Sequence, residues 1–129
     1  MKSVILLLTL CFSTFLGSPA HGGDDPSIKG KTREDIQSSM VSYIKSNSVE
    51  GKFIVYDAVT DELKRLTFKK LHSGIVKKGE FYVSCVDFVD ENDNKYDIDY
   101  LVMDKDGVMR VLQSIVHSIN GEKRKYHVE

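Results

Sequence analysis

Residues 81–102 read FYVSCVDFVDENDNKYDIDYLV. Two runs alternate with a period of two around the polar loop DENDN, which predicts two antiparallel strands joined as a hairpin. With the loop at Asp90–Asn94, Val89 pairs with Lys95, Asp87 stands opposite Asp97, and Cys85 stands opposite Asp99. Tyr82, Val86 and Phe88 then share a face with Tyr96, Ile98, Tyr100 and Val102. That face is the better core, and register follows the buried pattern because a one-residue slip would turn every side chain over. The other face carries Val83, Cys85, Asp87, Asp97, Asp99 and Leu101. Aspartates directly across an antiparallel pair repel, so solvent, a cation or a basic side chain must stand between them.

On the C-terminal side, DKDG at 104–107 leads to a fifth strand, VMRVLQSIVHSI, and Asn120-Gly121 is a strong hairpin signal that returns a short tail, KRKYHV, as a candidate edge strand. On the N-terminal side, KFIVYDAV (52–59) reads as the first strand, and LKRLTFKKLHSGIV (63–76) as the second, bent near Gly74. Earlier still, TREDIQSSMVSYIKSNSVEG offers Thr32 as an N-cap, followed by Ile36, Met40, Tyr43 and Ile44 at helical spacing; Asn47 and Gly51 close the element. One helix followed by a meander predicts an α+β domain in which the helix packs on a curved antiparallel sheet of four to five strands.

The chain opens MKSVILLLTLCFSTFLGSPAHGG, the charge, apolar run and small-residue order of a secretory signal. The expected division is a signal peptide over 1–20, a flexible leader over 21–31 and a single α+β domain over 32–129. The expected location is therefore exported, either periplasmic or secreted, with no membrane span after cleavage. Retention as an anchor is the competing reading. Of the two cysteines, Cys11 falls in the signal and Cys85 is left alone, so no internal disulfide is expected and a buried thiol is favoured. A formal net charge of −1 supplies no field for nucleic acid.

The order of elements resembles the cystatin-like architecture, a helix cradled by a curved meander. The inhibitors' Q-x-V-x-G wedge is not present: Gln37 and Gln113 have no Val and Gly after them at that spacing. Protease inhibition is therefore not implied. The run from Leu71 to Gly107 followed by IVHSINGEKRKY resembles small exported bacterial proteins of unknown function, with a shared Cys-x-Asp-Phe, Tyr-Asp-x-Asp-Tyr/Phe, Ile-x-His, Asn-Gly order. That resemblance implies no catalytic residues.

The candidate binding residues are Asp87, Asp97, Asp99 and His117. Their acid is expected either to be neutralised on a solvated face by Lys69, Arg65, Arg110 or Lys95, or to gather around a cationic group of a protein or small-molecule partner. No metal site is read, because nothing repeats at a known ligand spacing, and no cofactor is expected. The D-x-N-x-N run from Asp90 fails as a calcium loop, since its sixth position is Lys95 and its twelfth Leu101. No catalytic residue is assigned either: Cys85 is flanked by acid, which disfavours its thiolate. His72 shares parity with Leu66 and Phe68 and reads as a core or rim residue. The functional expectation is a non-catalytic binding or accessory module, monomeric or weakly self-associating. Its alternative is a small hydrolase or isomerase with a carboxylate inside the cone.

Overall fold

The structure is a computed structural model that describes residues 23–125; the expected signal peptide lies outside the described residues. One helix, α1 (Gly30–Ser46), precedes seven strands: β1 (Ser48–Val49), β2 (Lys52–Asp57), β3 (Glu62–Lys78), β4 (Phe81–Val89), β5 (Lys95–Lys105), β6 (Val108–Ile119) and β7 (Glu122–Lys123). Each strand pairs antiparallel with the next, in one open sheet of order β1 to β7. The fold is α+β.

The expectation of four to five strands is corrected to seven, and the two additions are both two-residue strands. Both are made by tight turns. Glu50 and Gly51, with φ of 51° and 76°, fold Ser48–Val49 back onto β2, while Asn120 and Gly121, at 52° and 81°, return β7 onto β6. Two successive positive φ values match the right-handed twist of the flanking strands, which is why such short ribbons form.

The helix begins two residues before the expected Thr32 cap, at Gly30, and Lys29 makes no side-chain cap there. Its entry is held by tertiary contacts. Arg33 donates from Nε to the Ile28 carbonyl at 2.7 Å and from Nη2 to Asp24 Oδ1 at 2.8 Å, and Nη1 reaches the Ser73 carbonyl. Asp25 N–H donates to the Ile75 carbonyl at 2.8 Å, so part of the stretch read as a leader is tied to β3, and Ile28 is buried in the core. At the other end Asn47 closes the helix, its Nδ2 donating to the Tyr43 carbonyl at 2.9 Å.

Ile36, Met40 and Ile44 form the buried stripe of α1. They meet Phe53, Leu66, Val86, Phe88, Ile98, Tyr100 and Val102 from the concave face of the sheet. Phe53 stacks on Phe88 at 5.1 Å between centroids, and Tyr43 meets Tyr100 edge-on at 6.0 Å. Offset and edge-to-face pairs of this kind add to simple area burial. The pairing Val89–Lys95, Asp87–Asp97 and Cys85–Asp99 is the one the alternation requires.

Curvature comes from irregularities in pairing. Register shifts fall between Phe68 and Lys70, between Leu71 and Ile75, and opposite Asp97–Ile98 and Leu101–Val102 on β6. Bulges of this kind bend a strand and increase its twist. The bend brings β2 into contact with β6. It also lets Arg124, just past β7, pair with the buried Asp57 at 2.6 Å. No described helix is long and apolar enough to cross a membrane.

Candidate functional site

The face of β4 and β5 turned away from the helix holds the acids. Asp87, Asp97 and Asp99 stand there with Cys85, and two histidines join them through bulges. On β3 the extra residue at Lys69 reverses the side-chain alternation, so Lys70 pairs with Asp87 and Leu71 with Val86. Leu71 therefore turns toward the core and His72 toward the acids, where its Nε2 lies 2.8 Å from Asp87 Oδ1. On β6, Asp97 pairs with Ser118 and Ile98 with Val116, leaving His117 as the additional residue. The bulge puts Val116 in the core and sends His117 to the acidic face.

His117 is buried, and its Nδ1 lies 2.9 and 3.0 Å from the two oxygens of Asp99. With Nδ1 protonated, the imidazole donates to the carboxylate. Asp99 is fully buried and also accepts from the Cys85 thiol, at 2.9 Å from Sγ. Burial of a carboxylate is tolerated only with such partners. Among the described residues, the side chains that reach Asp87 and Asp99 are thus His72, His117 and Cys85.

Asp97 is different. Among the described residues its Oδ1 is buried with no hydrogen-bond partner. Burial raises its pKa to about 6, with His72 and His117 pulling it down and Asp99 and Asp87 pushing it up. A carboxyl so placed takes a proton or a cation more readily than a solvated one.

Asp97 lines a cleft of about 950 Å³, together with His72, Asp87 and His117. Lys69, Lys70, Lys95 and Lys123 also line it, and all four are exposed. His72 and Asp97 are half-buried and His117 is buried, while Asp87 is partly exposed and Asp24, also in the lining, is exposed beside the lysines, so imidazole and the Asp97 carboxyl lie at depth and charges of both signs at the surface.

All four expected residues therefore meet on one face. Asp87, Asp97 and His117 line the cleft, while Asp99 sits behind them, holding Cys85 and His117. The sequence reading missed His72 as a member, since parity alone placed it with Leu66 and Phe68. It also missed Asp57, whose oxygens are taken by Arg124 at 2.6 Å and the Val59 N–H at 3.1 Å. The alternation of β2 already placed Asp57 on the face of Phe53 and Val55, a visible signal of a buried acid needing a partner.

The buried trio of Cys85, Asp99 and His117 is not ordered as a nucleophilic triad. In such a triad the histidine stands between nucleophile and acid; here the acid, Asp99, stands between thiol and histidine. No family model, no curated protein and no solved structure matches the chain.

Proposed function

We propose that this is an exported, cystatin-like binding module, acting without catalysis, whose cleft takes a small cationic ligand against Asp97. The observation that carries the reading is the buried Asp97 oxygen without a partner, on a residue that lines the cleft. An unpaired buried acceptor costs about 1–3 kcal/mol, and a bound cation recovers that cost. The exposed lysines around the cleft would receive negative groups on the same ligand or its carrier. The signal-like N-terminus supports export, and the helix-and-meander order supports the cystatin-like kinship. The module works as a monomer or weak homo-oligomer.

The competing enzyme reading needs an acid inside the cone. Beside Tyr100 stand Tyr43 and Phe53, and the acid on that face, Asp57, is engaged by Arg124; Tyr96 does line the cleft with Asp97, which is the carboxyl such an enzyme would use. Binding is the better supported reading.

The test is a thermal-shift and NMR titration with organic cations such as agmatine and with divalent metal ions. At least one of these classes should raise the unfolding midpoint and shift the ring signals of His72 and His117. Asp97→Asn should remove the effect while leaving the fold intact. A midpoint unmoved by both classes, or a shift that survives Asp97→Asn, would sink the reading. Asp99 is unsuitable for this test, because its bonds to Cys85 and His117 are structural.

A further inference from the structure

The geometry points to one specific cation: a borderline divalent metal ion of the zinc class, held by His72, Cys85 and Asp97, with its fourth position open to the cleft. The inference rests on the reading of the cleft as a cation site. One ligand atom from each of these residues lies within 4.8 Å of the others. Zinc bonds of about 2.0–2.3 Å set tetrahedral ligand atoms roughly 3.3–3.6 Å apart, so side-chain rotation of about 1 Å closes the set.

The chemistry of the set narrows the metal. Imidazole nitrogen, thiolate sulfur and carboxylate oxygen together suit zinc-like ions, whereas magnesium and calcium prefer oxygen alone. Asp87 lies 2.8 Å from Nε2 of His72, which orients the ring beside Cys85 and Asp97. A carboxylate behind a ligating histidine is the usual outer support of such sites. Asp97 supplies the oxygen that has no other partner.

A second trio, Cys85, Asp99 and His117, lies equally close. It is wholly buried, and both oxygens of Asp99 are already taken by the thiol and the imidazole. An ion also needs an entry path, and the cleft gives one at His72 and Asp97. Asp99 and His117 are therefore positioning residues for the thiol. On binding, the S–H bond breaks, the sulfur lone pair forms the bond to the metal, and the proton is released to solvent. No electron changes hands, and one proton is released per ion.

Titration of the reduced full chain with Co²⁺ tests the assignment. The expected result is a near-ultraviolet thiolate-to-cobalt band that saturates at one equivalent and is displaced by Zn²⁺. Cys85→Ser should abolish the band, which also separates Cys85 from Cys11. His72→Gln and Asp97→Asn should weaken binding more than the roughly 10–100-fold expected for Asp87→Asn as an outer support, and His117→Gln should retain the band. Circular dichroism of each variant checks folding, and proton release by the unaltered chain gives a readout independent of any substitution. Absence of the band, its survival in Cys85→Ser, or its loss in folded His117→Gln but not His72→Gln would overturn the assignment. Agmatine binding that persists without metal binding would overturn this inference alone, while loss of both would overturn the broader reading.

Discussion

The hairpin of β4 and β5 has two faces that are buried to the same degree at their centres, since Tyr100 and Asp99 are neighbours in sequence and both have no exposed surface. They are held in different ways. The concave face is filled by rings and aliphatic chains whose attraction depends on volume and contact area. The other is held by directional bonds among a thiol, two imidazoles and the carboxylates of Asp87 and Asp99. A core of the first kind tolerates changes of chemistry that keep its volume. A cluster of the second kind tolerates little change of hydrogen-bonding pattern, even when the shape is kept.

The sharpest test of that contrast is a pair of shape-conserving substitutions. Asp99→Asn is nearly isosteric, yet it places an amide NH₂ against donors from Cys85 and His117, and it should cost about 2–3 kcal/mol. Met40→Leu, fully buried in the concave core, should cost less than about 1.5 kcal/mol. Urea unfolding of both variants measures the difference, and equal losses would break the comparison.

A smaller effect sharpens it from the other side. The Tyr100 hydroxyl is buried with no partner among the described residues, a polar atom misplaced in the apolar face. Burial also pushes its phenol pKa well above the usual range, with Tyr43 adding to the rise. Tyr100→Phe removes the hydroxyl and keeps the ring, so it should be neutral or stabilising by up to about 1 kcal/mol. A clear loss of stability in the same urea experiment would mean that the hydroxyl has a partner of its own.

The two faces also differ in how far the sequence revealed them. The register of β4 on β5 was legible because both strands alternate without interruption, and the aromatic face can be buried in only one way. The acids, and the burial of Cys85, followed from that register. His72 did not, because the unpaired position at Lys69 reverses the parity of everything after it in β3. His117 was selected, but the bulge that lets it share a face with Asp97 and Asp99 leaves no mark on the period of β6. The shift between Leu71 and Ile75 was marked by Gly74, but no glycine or proline marks the bulges at Lys69 and His117, so the pattern alone does not show them. The strand count failed for a related reason: two-residue strands are too short to show alternation, and only their turns are written in the sequence.

The faces meet at the hairpin loop, where the smallest effect is expected. Asp90 accepts from the backbone N–H groups of Asn92 and Asn94 at 2.9 and 3.0 Å and from Asn94 Nδ2 at 2.8 Å, while Tyr96, a core-face ring, reaches it at 3.5 Å. Burial pulls the Asp90 pKa upward, but these bonds outweigh it and hold the carboxyl below its ordinary value. A folded-state pKa below the unfolded one favours folding where the carboxylate is ionised in both states. That stability is present above the unfolded value of about 3.9 and is lost as pH falls through the folded pKa. Asp90→Ala removes both the charge and the acceptors, and it should cost somewhat under 1 kcal/mol at pH 7, since the loop is partly solvated. The difference in unfolding free energy between Asp90→Ala and the unaltered chain should narrow as pH drops from about 5 toward 3. A gap that stayed constant over that window would show that Asp90 acts through shape alone. The loop would then join the concave face in its physics, although its atoms are those of the polar one.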